Sequence, residues 1–232
     1  MNIRHFCFNL IGVNTYLAWN ADGRAVVVDP GFATADEKEQ LYGVIRSEGL
    51  TPEAVLLTHA HFDHIMGLDA FLKAFVVPVY MHQDDVPVLR DAAVMAARFG
   101  LGCPAGNIPT TGISDGGTLL LAGEEWKVIS TPGHTPGSVC YHIPAQRLLF
   151  SGDTLFRGSI GRTDLPLGDY DKEIVSIMEK LMGLDSRTEI LPGHGPFSSI
   201  ADERTDNPFL VPFNEKEESG EDLEGIEINP LL

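Results

Sequence analysis

The sequence predicts an α/β protein whose sheets and helices are stacked as a layered sandwich. Short apolar segments with strand character alternate with amphipathic helical segments in both halves of the 232-residue chain. Two sheet-forming halves with helices outside them bury their apolar faces by packing together. A hydrophobic content of 44% and a charged content of 21% are ordinary for a globular protein, and one domain of this length can bury its own core.

The first half of the chain begins with strands and then alternates helices and strands. A turn signal, Asp29-Pro30-Gly31, follows one of these strands. The segment DDVPVLRDAAVMAARF is typical of an amphipathic helix, because acids occupy its first turn and Gly100 follows its last residue. We predict strands at residues 14–19, 25–28 and 54–57, and helices at residues 36–48, 65–75 and 84–99.

The second half repeats this organisation after a segment rich in Gly, Pro and Thr. That segment, residues 102–116, is expected to be a long surface loop. Apolar segments bounded by turn residues predict further strands, and one helix precedes the last of them. The predicted strands cover residues 118–121, 126–130, 138–143, 147–151 and 189–191, and the predicted helix covers residues 170–182.

The formal net charge of −17 argues against two classes of anionic partner. Nucleic-acid phosphates and anionic membrane surfaces would be repelled by it. No apolar run reaches the length of about 18 residues that a membrane span needs. The N-terminus lacks a basic segment followed by an unbroken apolar stretch and a cleavage site, so we expect a mature, cytoplasmic chain.

The cysteines predict no disulfide framework and no thiolate metal site, because Cys7, Cys103 and Cys140 are widely spaced and form no CxxC pair. Cys7 and Cys140 lie in apolar, strand-like segments. We expect both to be buried structural thiols.

We place the boundary of the main domain at residue 212. Residues 213–232 form an acidic C-terminal tail, in which EKEESGEDLEGIE has seven acids against one lysine. Such a charge run is usually solvated. Leucines and isoleucines are interleaved with the acids, so we expect the tail to dock on its own domain or on a second subunit, which leaves a homo-oligomer open.

A dense cluster of residues of the types that bind metals follows the strand predicted at residues 54–57. THAHFDH, residues 58–64, holds three histidines and one aspartate. Because the chain leaves the strand extended, His59 and His61 project to the same side. Asp63 and His64 fall where the next helix begins and face a neighbouring point. This short segment therefore predicts two adjacent metal sites.

Three further candidate ligands lie in matching settings, each after an apolar segment and among glycines. They are His134 in STPGHTPGS, Asp153 in LFSGDTLF and His194 in ILPGHGP. Strand ends that converge on one edge of a sheet are where α/β proteins build their sites. We therefore expect these three side chains to join the histidine cluster.

Taken together, these segments resemble the metallo-β-lactamase superfamily. Asp29, THAHFDH, His134, Asp153 and His194 look like its five ordered motifs. The longer strings TPGHTPGS, FSGDTLFRGSIGRTDLP and PGHGP are similar to its glyoxalase II-like (hydroxyacylglutathione hydrolase-like) branch. The resemblance covers residues 12–212 and implies a single-domain hydrolase with the four-layer αβ/βα sandwich of that family.

The resemblance also implies a role for each candidate ligand. The first metal would be held by His59, His61 and His134, the second by Asp63, His64 and His194, and Asp153 would bridge the two. Asp29 would accept a hydrogen bond from a ligand histidine and fix the tautomer of its ring. The same aspartate has a competing explanation as the turn former of Asp29-Pro30-Gly31.

The ligand set predicts metal-dependent hydrolysis. Nitrogen and oxygen ligands without sulfur suit two divalent ions, zinc in the first place, with iron or manganese as alternatives. Two such cations lower the pKa of a shared water towards about 7 and supply hydroxide that attacks a carbonyl carbon. Asp63 or a water would return the proton to the leaving group. A thiolate needs little protonation, so the expected partner is a small-molecule thioester or ester, such as S-lactoylglutathione or a related acyl thioester.

Two alternatives to this function remain open. The glyoxalase II family proper adds a helical domain that holds glutathione, whereas only 38 mainly acidic residues follow His194, so the reaction type is better predicted than the substrate. A mononuclear-iron persulfide dioxygenase is the nearest competitor, but PGHGP around His194 favours a second metal. A non-catalytic metal-binding module is an alternative of another class, against which the complete set of ligand positions argues.

Two arginines follow Asp153 closely in a chain with only 16 basic residues. Arg157 or Arg162 could bind a substrate carboxylate or pair with an acid such as Asp164, and pairing is the favoured interpretation for Arg162. The other histidines have no ligand-type neighbours in sequence, so we expect packing or surface roles for them. They are His5, His82 and His142.

Overall fold

The fold is a stack of four layers in the order helices, sheet, sheet, helices. In this computed structural model, the structure describes residues 1–103 and 108–213. Within these ranges, two six-stranded sheets face each other and helices pack on the outer face of each. The predicted αβ/βα sandwich is therefore confirmed.

The first sheet contains six strands in chain order. They are β1 (Asn2–Phe8), β2 (Val13–Trp19), β3 (Arg24–Val28), β4 (Thr51–Leu56), β5 (Val79–His82) and β6 (Thr111–Ile113). Strands β1 to β3 are antiparallel, and β3 to β6 are parallel. Parallel neighbours need long crossovers, which contain α1 (Ala35–Ser47), α2 (Phe62–Ile65), α3 (Leu68–Ala74) and α4 (Val86–Arg98).

The second sheet has the order β14-β13-β10-β9-β8-β7. Its strands are β7 (Thr118–Leu121), β8 (Glu124–Ser130), β9 (Val139–Ile143), β10 (Leu148–Gly152), β13 (Glu189–Pro192) and β14 (Ser198–Ser199). A small hairpin, β11 (Leu155–Phe156) and β12 (Ser159–Ile160), follows β10. The outer helices are α5 (Tyr170–Ser176), which continues as a π-helical turn (Ile177–Leu181), and α6 (Ile200–Asp206).

The alternation of side chains along the strands builds the layers. In β3, Val27 packs with the helices α1 to α4, whereas Val26 and Val28 face the second sheet. Successive strand residues point to opposite faces of the sheet, so each central strand contributes side chains to two hydrophobic cores. The inter-sheet core also contains Trp126 and Phe150, whose rings stack at 5.2 Å between centroids.

Several elements differ from the sequence prediction. The helix predicted at residues 65–75 is divided into α2 and α3 at Gly67, where a Cβ atom would lie 2.5 Å from the ring of Phe32. The predicted loop at residues 102–116 contains β6, which pairs with β5, while residues 104–107 of it lie outside the described part. The strands β11, β12 and β14 have two residues each and are too short to show a period.

Two side-chain environments also differ from expectation. Cys7 is exposed, because it points away from the core between the buried Phe6 and Phe8 of β1, whereas Cys140 is buried as predicted. Helix α4 begins at Val86, so Asp85 precedes it as the buried residue of a 3₁₀ turn whose other two residues are exposed.

The remaining predictions on organisation concern the C-terminus and the membrane. Residues 214–232, which hold nearly the whole acidic tail, lie outside the described residues. Among the helices that are described, none combines the length and the apolar character needed to cross a bilayer.

Candidate metal centre

The candidate ligands converge at one edge of the two sheets. His59 follows β4, His134 follows β8, Asp153 follows β10 and His194 follows β13. The structure brings all seven predicted ligand side chains together as two adjoining groups of three with Asp153 between them, and we call this cluster the metal centre. It consists of His59, His61, Asp63, His64, His134, Asp153 and His194.

The first group contains the rings of His59, His61 and His134. The Nε2 atom of His59 lies 3.1 Å from Nδ1 of His61, and that Nδ1 lies 2.9 Å from Nε2 of His134. His59 and His134 are buried, and His61 is partly exposed. Their potential ligand atoms all lie within 4.8 Å of one another, which is close enough to surround one ion.

The second group contains Asp63, His64 and His194. The Nε2 atoms of the two histidines are 3.3 Å apart, and His194 Nε2 lies 3.2 Å from Oδ2 of Asp63. Asp63 and His64 are consecutive residues of the short helix α2, and both side chains reach the second group. The potential ligand atoms of this group likewise lie within 4.8 Å of one another.

Asp153 lies between the two groups. Its Oδ1 is 3.3 Å from His64 Nε2, and its Oδ2 is 3.5 Å from Nε2 of both His134 and His194. The carboxylate fits there because residue 193 is glycine: a Cβ atom on Gly193 would lie 2.1 Å from Asp153 Oδ1. One carboxylate therefore touches ligands of both groups.

The donor atoms of the metal centre fit divalent cations. Asp153 Oδ1 is buried and has no hydrogen-bond partner of good geometry among the described residues. Ring nitrogens face one another within each group, an arrangement that is unfavourable unless a proton or a cation lies between them. Nitrogen and oxygen donors without sulfur suit zinc, iron or manganese.

Hydrogen bonds behind the histidines set their tautomers. His64 Nδ1 lies 3.0 Å from Asp29 Oδ2, and His134 Nδ1 lies 2.7 Å from the carbonyl oxygen of Arg162. His194 Nδ1 lies 3.2 Å from the carbonyl oxygen of Gly12. A proton on each Nδ1 leaves the lone pair of Nε2 directed into the metal centre.

Asp29 also ties two strand ends together. Its backbone has φ of 50°, in the left-handed region, which is uncommon for a residue other than glycine and is found at functional sites. Besides its contact with His64, the carboxylate accepts hydrogen bonds from Thr58 N–H at 2.8 Å and from Thr58 Oγ1 at 2.6 Å. The turn conformation and the contact with a candidate ligand therefore occur together at Asp29.

Two buried carboxylates that sequence analysis missed hold the loops of the first group. Asp85 accepts hydrogen bonds from Ala60 N–H at 2.7 Å and from Gly137 N–H at 2.8 Å. Glu173 Oε2 accepts from His134 N–H at 2.7 Å. Burial raises the pKa of Asp85, and it raises the pKa of Glu173 to about 8. No local pattern marks them, since each lies at a helix start where acids are common.

The electrostatics of the metal centre favour bound cations. Burial lowers the pKa of His59 well below its usual range and lowers that of His61 to about 3, so both rings are neutral. Burial opposes ionisation of Asp153, but His64 overcomes this and holds its pKa well below the usual value. The same pairing raises the pKa of His64 against the effect of burial. Asp153 is therefore ionised beside the neutral rings of His59 and His61, and the positive charge that it favours is carried by His64 when no cation is bound.

The metal centre opens into a cavity of about 440 Å³, which Arg162 lines and Arg157 does not. The guanidinium of Arg162 makes two hydrogen bonds of 2.8 Å each with Asp164. The histidines expected to have packing or surface roles lie outside both ligand groups: His5, His82 and His142.

The chain belongs to the metallo-beta-lactamase superfamily, whose family model matches residues 9–194. It is 40% identical over 195 residues to the probable metallo-hydrolase YqgX of Bacillus subtilis, a match that covers 84% of this chain and 90% of YqgX. It is 34% identical over 212 residues to the hydroxyacylglutathione hydrolase GloC of Haemophilus influenzae, a match that covers 90% of this chain and 98% of GloC. This membership supports a hydrolase with a dinuclear metal site.

Two solved structures share the fold at substantial sequence identity. The BLEG-1 B3 metallo-beta-lactamase superposes with a TM-score of 0.83 at 39% identity, covering 90% of this chain and 100% of that one. TTHA1623 in a di-iron-bound form has a TM-score of 0.81 at 37% identity, covering 89% and 100%. The neighbours therefore include a protein described as a β-lactamase and one with two bound irons.

Proposed function

We propose that this protein is a metal-dependent thioesterase that hydrolyses S-lactoylglutathione or a related acyl thioester. The observation that carries the proposal is the pair of ligand groups joined by Asp153 at the floor of a cavity. The similarity to GloC, a hydroxyacylglutathione hydrolase, supports the thioester bond as the target. The cofactors we propose are two divalent metal ions. Zinc is the preferred assignment, and iron or manganese are the alternatives.

Each ligand group would hold one ion. His59, His61 and His134 would bind the first, Asp63, His64 and His194 the second, and Asp153 both. When bound, such a pair supplies an activated water and stabilises the charge that develops on a substrate carbonyl oxygen. The proposed catalytic residues of the chain itself are Asp153 and Asp63.

The surrounding residues orient the ligands and move protons. Asp29 holds the His64 ring with its Nε2 towards the second group. Asp63 is at the cavity surface beside His194, where a carboxylate can pass a proton to the leaving group. A thiolate needs little help from such a proton, which favours thioesters over esters and amides as substrates.

The two arginines differ in what they can contribute to substrate binding. Arg162 lines the cavity, but its guanidinium is occupied by Asp164. Arg157 is exposed and lies outside the cavity lining, so we propose no substrate contact for it. The cytoplasmic location, the absence of nucleic-acid and membrane partners and a homo-oligomeric state stay predictions from the sequence.

The test is the rate of S-D-lactoylglutathione hydrolysis, measured on protein whose bound metals are counted in the same sample. We expect turnover with about two metals per chain, as in other dinuclear sites. Loss of both metals to a chelator should stop turnover, and their return should restore it. His142→Ala serves as the control variant, because His142 lies outside both ligand groups.

The other outcomes point to the alternative functions. Full metal loading without turnover of any thioester would refute the thioesterase. One iron per chain with oxygen consumption on a persulfide would indicate a persulfide dioxygenase instead. Two tightly held metals without turnover of thioester, ester or lactam substrates would indicate a non-catalytic metal-binding module.

A further inference from the structure

Large apolar side chains make up much of the lining of the cavity in front of the metal centre. We call this surface the apolar wall; it consists of Ile11, Phe62, Met95, Phe99, Phe156 and Leu165. The turn before β2, helix α2, the C-terminal end of α4, strand β11 and the loop before α5 each contribute to it. Because five separate parts of the chain supply apolar residues to one cavity, the wall is a product of the tertiary structure.

Part of the apolar wall is open to solvent. Phe99 is 56% exposed and Ile11 is 40% exposed, although both side chains are large and apolar. The ring of Phe99 packs against Phe62 at 5.3 Å between centroids and leaves its remaining surface towards solvent. Exposed apolar surface of this kind next to polar groups marks a ligand site, because covering it is favourable.

The cavity lining has little positive charge with which to bind a negatively charged part of a ligand. Among the described residues that line it, Arg162 is the only lysine or arginine. Its guanidinium already makes two hydrogen bonds of 2.8 Å with Asp164. Glutathione carries carboxylates at both ends, and no free cation of the described lining is placed to bind them.

The acyl group and the thiol carrier of a thioester therefore have different places in this site. Biological thiol carriers such as glutathione and coenzyme A are polar and charged, so they are best solvated outside the mouth marked by Ile11 and Phe99. The acyl arm is attached directly to the reacting carbonyl carbon, which must lie at the metal centre. A cavity of about 440 Å³ is within the usual range for binding a small organic group.

We infer that the preferred substrates are thioesters with an apolar acyl chain or ring, which the apolar wall binds while the thiol carrier stays in solvent. Phe99 and Met95 are then specificity-determining residues. This inference rests on the thioesterase proposed above and, among the acyl thioesters proposed there, favours apolar acyl groups over the hydroxyacyl group of S-lactoylglutathione.

The main experiment measures kcat/KM for a series of thioesters with the metal-loaded protein. Acetyl, butyryl and hexanoyl groups are placed on the same thiol, N-acetylcysteamine, with S-D-lactoylglutathione as the reference. Burial of each methylene should raise kcat/KM about threefold to fourfold until the cavity is filled. A second series keeps the butyryl group and changes the thiol to glutathione or coenzyme A, for which we expect little change.

Product binding gives a readout that is independent of turnover. The carboxylates acetate, butyrate and hexanoate present the same charged group, so a difference between their dissociation constants reports on the acyl chain alone. We expect hexanoate to bind more than about tenfold more tightly than acetate, because four methylenes are added to the wall. Equal affinities would overturn the inference.

Phe99→Ser tests the wall directly, and Leu120→Ser is its matched control. Leu120 is 71% exposed on β7 and does not line the cavity. We expect Phe99→Ser to lower kcat/KM for the hexanoyl thioester about fivefold, with little effect on the acetyl thioester. The control should change neither value. Since Phe99 is more than half exposed, the substitution should not prevent folding.

The outcomes separate this inference from the proposed function. If no thioester is hydrolysed at full metal loading, the thioesterase itself fails and this inference fails with it. If all acyl groups are hydrolysed equally well, or if the thiol decides the rate, the thioesterase stands and the apolar acyl preference is wrong. A preference for S-D-lactoylglutathione over the hexanoyl thioester would also overturn it.

Discussion

The metal centre and the apolar wall face the same cavity but are held in place differently. In the metal centre, hydrogen bonds from behind fix the rings of His64, His134 and His194. In the wall, side chains such as Phe99 are positioned by packing and stay partly exposed. A side-chain displacement of about one ångström breaks a directional hydrogen bond, whereas an apolar contact tolerates such a displacement. Substitutions in the metal centre should therefore remove the reaction, and those in the wall should change its selectivity.

The largest effect is expected for Asp153→Ala, because Asp153 touches both ligand groups. The variant should lose measurable turnover and hold less metal than the roughly two ions expected of the parent. Metal analysis and thioester hydrolysis on the same sample test this. Activity retained at full metal content would show that Asp153 does not bridge the two ions.

The second largest effect is expected for Asp85→Ala. This variant tests whether the Asp85 carboxylate holds the loops that carry the first ligand group. Removing the carboxylate leaves the buried N–H groups of Ala60 and Gly137 without acceptors. Each such loss costs about 1–3 kcal/mol, so the loss of both should lower the free energy of unfolding by roughly 2–6 kcal/mol. Urea unfolding of the metal-free chain measures it, and metal titration should show weaker binding at one site.

Asp84→Ala is the matched control for that substitution. The side chain of Asp84 is adjacent in sequence but 66% exposed, so its loss should change the free energy of unfolding by less than about 0.5 kcal/mol. If the two variants were equally stable, the loop contacts of Asp85 would not contribute as the hydrogen bonds indicate.

A smaller effect is expected for Arg162→Ala. His134 donates to the backbone carbonyl of Arg162, which the substitution retains, so metal content and kcat should stay unchanged. The pair with Asp164 is exposed at both side chains and screened by solvent, so its loss should change stability little. A large rise in KM confined to S-D-lactoylglutathione would instead show that the guanidinium leaves Asp164 and binds a substrate carboxylate.

The smallest effect is the pH dependence carried by His142, which lies in neither region. Burial, with Lys127 opposite it on β8, lowers the pKa of His142 below its usual value. The unfolded chain then binds the proton first, so His142 contributes stability that is present above about pH 6.5 and lost as the pH falls through its lowered pKa. His142→Gln should reduce this loss. Unfolding at pH 7.5 and pH 5.5 would show it, and identical slopes in both proteins would contradict the expectation.

The local parts of the fold and of the site could be predicted from the sequence. The capping box of Thr34 and Glu37 at the start of α1 acts within one turn, and the predicted helix there is present. THAHFDH places four candidate ligands within seven residues, so their proximity follows from the chain itself. The exposure of Cys7 could also have been predicted from the local sequence. The period of two in β1 puts Phe6 and Phe8 on the buried face and therefore Cys7 on the opposite face.

Only the tertiary structure determined what surrounds those ligands. Asp85 reaches N–H groups that are 25 and 52 residues away, and Glu173 reaches one that is 39 residues away. The apolar wall likewise joins residues from Ile11 to Leu165. Sequence patterns report the period of one element and the residues that begin or end it. Contacts between distant elements depend on how the layers pack, and no local pattern records that packing.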